Sequence, residues 1–589
     1  MRIENSWRFS LMGMLFVGAA AVVILQLVRL QFSPQAQLFL DQGDRYAGEW
    51  RSVSAPRGIV YDRKGKVLAG NKTVYEIGIN LRDVEDKHAI AFAVNSITGE
   101  DYERVLALAS IDHSDEAVYA FIASNVPSDQ ARLLMDYMES RAKDIRAGRT
   151  PEGPSLVGLD FRAHLARSYP EDSLASAVLG FVAQDDQGLR GYYGVEQYYN
   201  ELLAGTSEDV WYPSDPNLVE ELPAIPPGTS LILTIDRELQ VSIENILEKA
   251  VEESGAQAGT VVVMDPRTGE ILAMASMPSL NLNEFWRYPE IFPGATPFNR
   301  VTGNSYEPGS VFKVITMAAA IDAGVVTLET TFFDTGSIEV GGIYINNWDN
   351  RAWGEQNMLS CMQNSLNVCL AWVSTQMQAE TFYDYLKRFG FGHTTGVDLA
   401  GEATGRLKEP GDGDWYPADL ATNAFGQGIA VTPIQMLMAV SAIANDGQMV
   451  VPRLVRALVD GDSQYTIHPQ YAGSPISAET ATIITEMLAQ SMENEASTAL
   501  VPGYRLAGKT GTAEIPTPEG YTRGITNVSF VGWGPVDDPQ FIVYVWIEAP
   551  TSSIWGSVVA APIFSEVVAR LVVIMDIPPD YVRLGLLEE

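Results

Sequence analysis

Cysteine is nearly absent from this 589-residue chain, which has only Cys361 and Cys369. That scarcity excludes a disulfide framework and every four-cysteine zinc site. On one uninterrupted helix their separation would span about 12 Å, beyond disulfide reach, so a bond between them requires the helix to break near Ser365. Two free, buried thiols are the expectation. Histidine is also scarce, with five residues (His88, His113, His164, His393 and His468) and no His-Glu-x-x-His pattern, which argues against a zinc peptidase. Basic residues are outnumbered, 39 Lys and Arg against 74 Asp and Glu, for a formal net charge of −35. Such a field repels phosphate backbones, so nucleic acid is not an expected partner, and the carboxylates read as solvated surface. No internal repeat and no low-complexity tract is present.

Long hydrophobic runs are lacking except for one. Phe9 to Val28 reads FSLMGMLFVGAAAVVILQLV, with Ser10 and Gln26 its clearly polar members, close to the length needed to cross a bilayer core. Arg2, Arg8 and the terminal amine precede it, whereas Asp41, Asp44 and Glu49 mix with Arg45 and Arg51 beyond it, which favours a cytoplasmic N-terminus. A cleaved signal would have a shorter apolar region ending at a small-residue site, and here Ala19 and Ala21 sit inside the run. An anchor is therefore expected at 9–28, behind a cytoplasmic segment 1–8. With no second run of comparable length found, a polytopic transporter is excluded.

The rest of the chain is too long for one core, so at least two domains are expected. Gly58 to Ala69 has apolar alternation on both sides of a polar, Gly-bearing turn and predicts a hairpin. Asp86 to Ala147 carries helical spacing, and Gly188 to Gly205 passes from glycines to a helical pattern that stops at Gly205. Leu222-Pro223-Ala224-Ile225-Pro226-Pro227-Gly228 suits a domain edge, which divides a mixed α+β pedestal at 29–228 from a second domain at 229–589. Strand-like runs at Ser230–Thr234, Thr260–Met264, Glu270–Met274 and Gly503–Gly508 return at Val528–Gly532 and Phe541–Trp546. Strands at both ends with helices between them predict an α/β sandwich closed by the two ends of the domain.

Pro308-Gly309-Ser310-Val311-Phe312-Lys313 opens an apolar helical run that closes at Gly324. Positions three apart share a helix face, so Lys313 can accept the Ser310 proton, provided that burial or a second cation keeps it neutral when it reacts. Ser365-Leu366-Asn367 supplies a hydroxyl able to relay a proton and an amide able to hold both lysine and substrate. Lys509-Thr510-Gly511-Thr512 follows a strand-like segment. There Gly511 would let a peptide lie against the strand, and Lys509 with the two threonine hydroxyls can bind a terminal carboxylate. Because alternation points Lys509 and Thr510 to opposite faces, the strand's edge is expected to meet the substrate.

Ser-x-x-Lys, Ser-x-Asn and Lys-Thr-Gly in this order form the signature set of penicillin-binding proteins and serine β-lactamases. With Arg57-Gly58-Ile59, Asp62-Arg63, Asn299-Arg300, Glu307-Pro308-Gly309-Ser310, Phe425-Gly426-Gln427-Gly428 and Thr395-Gly396-Val397-Asp398, the chain resembles class B penicillin-binding proteins over nearly its whole length after the anchor. The resemblance implies a serine β-lactamase-like catalytic domain, an antiparallel sheet between helices, that cross-links peptidoglycan outside the membrane without a metal or other cofactor. Ser310, Lys313, Ser365, Asn367 and Lys509 would be catalytic, and Thr510, Gly511 and Thr512 would bind substrate. Backbone N–H groups of Ser310 and Thr512 would form the oxyanion hole. Implied partners are peptidoglycan stem peptides, β-lactams and a polytopic glycosyltransferase among division or elongation proteins. Overall length and the short tail after Pro562 look closer to the division branch.

Other readings fare worse. No Gly-x-Ser-x-Gly elbow surrounds Ser310, which removes a Ser-His-Asp hydrolase. A β-lactamase needs no pedestal, a bifunctional relative needs a Glu-Asp-x-x-Phe-x-x-His pattern that is missing here, and a silent scaffold has no use for all five catalytic residues.

Overall fold

The computed structural model describes residues 6–31, 48–53, 55–149, 153–185, 188–213, 225–294, 296–495, 497–517 and 520–586. Arg2, Asp41, Asp44 and Arg45 around the apolar run lie outside the described residues, as do Leu222, Pro223 and Ala224 of the expected linker. By its contacts the chain divides into two compact units, residues 1–56 with 205–227 and residues 57–204 with 228–589. In the first, one helix, Ser6–Gln31, contains the whole apolar run, and its described side chains, among them Leu15, Phe16 and Val17, are exposed. Strands Gly48–Val53 and Glu208–Pro213 pair antiparallel, with Trp50 opposite Trp211.

In the second unit the predicted hairpin is present, Val60 facing Ala69 and Tyr61 facing Val67. Its turn closes on Asp62, whose Oδ1 accepts from the Lys64 and Lys66 amides at 2.9 and 2.7 Å. The hairpin belongs to a sheet that runs from Ser463–Thr466 through Val455–Asp460, Ser230–Leu233, Val60–Tyr61 and Val67–Asn80 to Tyr119–Pro127, with Leu159–Ser168 also paired to Val67–Asn80. The stretch 86–147 is thus less helical than its spacing predicts: Lys87–Thr98, Tyr102–Ala109 and Ser128–Arg146 are helices, but Tyr119–Pro127 is a strand. A buried cluster fixes Arg57, whose guanidinium and that of Arg167 grip opposite oxygens of Glu196 at 2.7 and 2.6 Å; Glu196 is fully buried. Charges buried this deeply persist only when paired.

The rest of this unit is built on a five-stranded antiparallel sheet in the order Ile271–Met277, Ala258–Met264, Phe541–Glu548, Gly520–Gly534, Ala507–Thr517. Alternation splits each strand between two cores. Val261, Val263, Val543 and Val545 pack with Leu239 and Ile243 of helix Arg237–Ser254 and with Phe564 and Val567 of helix Gly556–Ile574. Val262, Met264, Tyr544 and Trp546 pack with Val314 of helix Lys313–Asp322 and Leu437 of helix Pro433–Ala444. This is the predicted sandwich, closed by both ends of the domain.

Two expectations change here. Gly503–Gly508 does not form a strand throughout: the chain turns at Pro502–Gly503 and enters the sheet only at Ala507. Helix Gly556–Ile574 is itself long and apolar enough to cross a membrane, a second run that the sequence reading missed. Its apolarity is that of a core helix, because Val559, Ala560, Phe564, Val567, Val568 and Leu571 are buried against the sheet.

Candidate active site

Ser310 sits in a single 3₁₀ turn, Gly309–Phe312, that runs into helix Lys313–Asp322. The turn needs glycine at 309, where φ is +60° and a Cβ would lie 2.6 Å from the Thr512 carbonyl oxygen. Its amide donates to the Gly426 carbonyl at 3.0 Å, and the Gly428 amide donates to Glu307 Oε1 at 3.0 Å. The segments Glu307–Ser310 and Phe425–Gly428, far apart in sequence, therefore hold each other. Tyr521 from the sheet's last hairpin donates to Glu307 as well, and burial pushes the Glu307 carboxyl above its ordinary range despite these contacts.

Lys313 is fully buried, and its Nζ donates to the Ser365 carbonyl at 2.6 Å, to Ser365 Oγ at 3.2 Å and to Asn367 Oδ1 at 2.7 Å. The first two motifs thus meet at the Lys313 side-chain nitrogen. Ser365 can present both of its oxygens because it lies between helices Met358–Gln363 and Asn367–Arg388 with φ at +50°, a conformation a non-glycine residue adopts only when its surroundings impose it. The break has a second consequence that corrects the expectation of free thiols: Cys361 and Cys369 are disulfide-bonded, with Cα atoms 6.1 Å apart. Closing so short a loop stabilises the fold by roughly 2 to 3 kcal/mol and ties together the two helices that flank Ser365. Asn367 is further set by its Nδ2, which donates to the Asn346 carbonyl at 3.3 Å.

The third motif lies on the last strand of the sheet, Ala507–Thr517, where Lys509 faces Val531 and Thr512 faces Val528. Lys509 is buried, and its Nζ reaches Thr510 Oγ1 at 3.4 Å. Gly511 is buried too, and a Cβ there would come within 2.2 Å of Ser529 Oγ and 2.9 Å of Val311 Cγ1. Packing against Ser529 of the neighbouring strand, and against the serine turn at Val311, is thus what calls for glycine at 511. Thr510, Thr512 and Glu514 alternate onto the opposite, half-buried face. Thr512 Oγ1 accepts from the Gly556 amide at 3.1 Å, which leaves its proton to donate.

These elements enclose a cleft of about 810 Å³. Of the eight residues singled out from sequence, Ser310, Ser365, Asn367, Thr510 and Thr512 line it, while Lys313, Lys509 and Gly511 are buried behind its walls. The strand meets the cleft with its even-numbered face as well as lying at the sheet's edge, which refines the edge-only expectation. Sequence reasoning missed Trp348 and Trp555, whose rings stand edge to face 5.6 Å apart in the wall, and it missed Glu514. Two lone tryptophans carry no motif signal. Glu514 follows from period-2 alternation once the strand is known to continue past Thr512.

Comparison with known proteins matches residues 259–569 to the penicillin binding protein transpeptidase domain and residues 52–217 to the penicillin-binding protein dimerisation domain. Stage V sporulation protein D of Bacillus subtilis is 33% identical over 533 residues, covering 87% of this chain and 77% of that protein. The probable peptidoglycan D,D-transpeptidase PbpC of Pseudomonas aeruginosa is 30% identical over 590 residues, 98% of this chain and 97% of its own. Among solved structures, penicillin binding protein 2X from Streptococcus thermophilus superposes with a TM-score of 0.73 at 25% identity, over 90% of this chain and 80% of that one.

Proposed function

The chain belongs to the class B penicillin-binding proteins and is a peptidoglycan D,D-transpeptidase, and from that premise we propose that Ser310 is the residue that carries the acyl group. What supports the assignment is the convergence of Ser310, Ser365, Asn367, Thr510 and Thr512 on one cleft, with Lys313 bonded to the Ser-x-Asn segment. Ser310 Oγ attacks the carbonyl of a stem peptide's D-Ala-D-Ala as Lys313 takes its proton. The C–N bond breaks, and the terminal D-Ala leaves with a proton relayed through Ser365. An amine of a neighbouring strand then attacks the ester, the C–O bond breaks and Ser310 recovers its proton. The amides of Ser310 and Thr512 stabilise the oxyanion, a contribution worth about 3 to 4 kcal/mol per donor. Lys509, Thr510 and Thr512 hold the terminal carboxylate, and a β-lactam occupies the same cleft.

We place the membrane span at residues 9–28 with the N-terminus cytoplasmic, the pedestal at 29–228, and the transpeptidase domain, 229–589, outside the membrane. The exposed apolar side chains of helix Ser6–Gln31 support the span, since in water such a surface has no partner. The Cys361–Cys369 disulfide supports the outer location, because such bonds persist in oxidising compartments. A polytopic glycosyltransferase is the proposed supplier of glycan strands.

Incubating the purified chain with a D-Ala-D-Ala peptide and an amine acceptor tests the reaction: D-Ala and the transpeptide are expected together, and both are expected to vanish after penicillin treatment. D-Ala release that survives saturating penicillin contradicts it. The division branch is also proposed. A fluorescent fusion should gather at the septum, and signal confined to the lateral wall rejects that role.

A further inference from the structure

Among the described residues that line the cleft, Glu514 is the one with a formal charge. The remaining described lining is neutral, and Lys313 and Lys509 are buried behind it. No described residue forms a hydrogen bond or ion pair with the Glu514 carboxylate. It sits on the same strand face as Thr510 and Thr512, opposite Thr526, which with Gly524 also lines the cleft. The hairpin bearing it is held to the serine turn, because Tyr521 OH lies 3.0 Å from each oxygen of Glu307.

The direction of the strand says what this carboxylate faces. In the catalytic assignment proposed above, on which this inference rests, the donor's terminal carboxylate lies at Lys509 and Thr510 and its scissile carbonyl at Thr512. Donor residues that precede the scissile bond then run along the strand toward Glu514. A strand advances about 3.3 Å per residue, so Glu514 lies about 7 Å beyond Thr512, level with the residue just before the D-Ala-D-Ala and within reach of a long side chain on it. A carboxylate that no described residue pairs, in a cleft whose other described lining is neutral, selects a cation.

We propose that Glu514 is a specificity-determining residue that binds an ammonium on the side chain of the donor residue immediately preceding D-Ala-D-Ala. The same chemistry would be offered by the acceptor's amine, so the test separates the two. Two donor peptides that differ only at that residue, lysine against Nε-acetyl-lysine, are compared by kcat/KM for D-Ala release from the full-length chain, without acceptor. Taking the ratio within each variant cancels any general change in rate. Wild type is expected to favour the lysyl donor about tenfold, the scale of a single partly exposed charge-assisted bond. Glu514→Gln should bring the ratio close to one, and Glu514→Lys should turn it below one. Equal ratios in wild type and Glu514→Gln overturn the proposal. So does a Glu514→Gln effect seen only in transfer to an added amine, which would assign the carboxylate to the acceptor. Release that persists in Ser310→Ala removes the catalytic assignment and this inference with it, whereas release that depends on Ser310 with unchanged ratios removes the inference alone.

Discussion

A Ser310→Ala variant is expected to show no covalent labelling by a fluorescent penicillin and to lose turnover on the order of a millionfold, the scale at which removing a nucleophile leaves only binding and oxyanion stabilisation. The replacement removes one hydroxyl from a half-buried position and leaves the Gly309–Gly426 backbone bond in place, so the turn and the fold should survive. Membranes containing wild type or variant, incubated with the label and resolved by mass, give the answer directly. A band in wild type alone establishes Ser310 as the acylated residue. Bands in both place the nucleophile elsewhere in the cleft, where Ser365 and Ser557 are the other serines in the wall. A folded wild type without a band contradicts acylation altogether.

The parts of this protein that could be read from its sequence are those fixed by local spacing. Ser310 and Lys313 share a turn, Lys509 to Thr512 share a strand, and Val60 to Ala69 close on a turn that Asp62 organises, so period and turn chemistry were enough. Residues that depend on long-range packing were not legible. The disulfide needed Ser365 in a left-handed conformation, and no local rule demands that of a serine. Glu196 was invisible as the acid between Arg57 and Arg167, because its helix gave no sign of facing two buried guanidinium groups. Asp398 was legible as part of a motif but not in its role, which is to accept the Leu454 and Val455 amides and the Tyr199 hydroxyl. The wall formed by Trp348 and Trp555 comes from two loops brought together only by the finished fold. Helix Gly556–Ile574 went unnoticed as a long apolar run, and only its packing shows it to be a core helix, since apolar composition by itself does not separate a core helix from a spanning one.

Lys313→Ala is expected to reduce acylation by about 10²- to 10⁴-fold, the range for loss of a positioned base. Two effects act together. The Ser310 proton loses its acceptor, and the Ser365 carbonyl, Ser365 Oγ and Asn367 Oδ1 lose the donor that now joins them. Leaving buried acceptors unpaired costs about 1 to 3 kcal/mol for each group that water does not reach, so a lower melting temperature is expected alongside slower acylation, and the two need separating. Lys313→Arg does that. Arginine supplies donors to the same acceptors but stays protonated, so it can repair the hydrogen-bonding role and cannot serve as a base. If Lys313 is the base, the arginine variant should recover melting temperature without recovering acylation. Acylation that returns with arginine would make Lys313 a positioning residue, and near-wild-type acylation by the alanine variant would remove it from proton transfer. Measuring acylation rates with one β-lactam and thermal unfolding on the same three proteins distinguishes these outcomes.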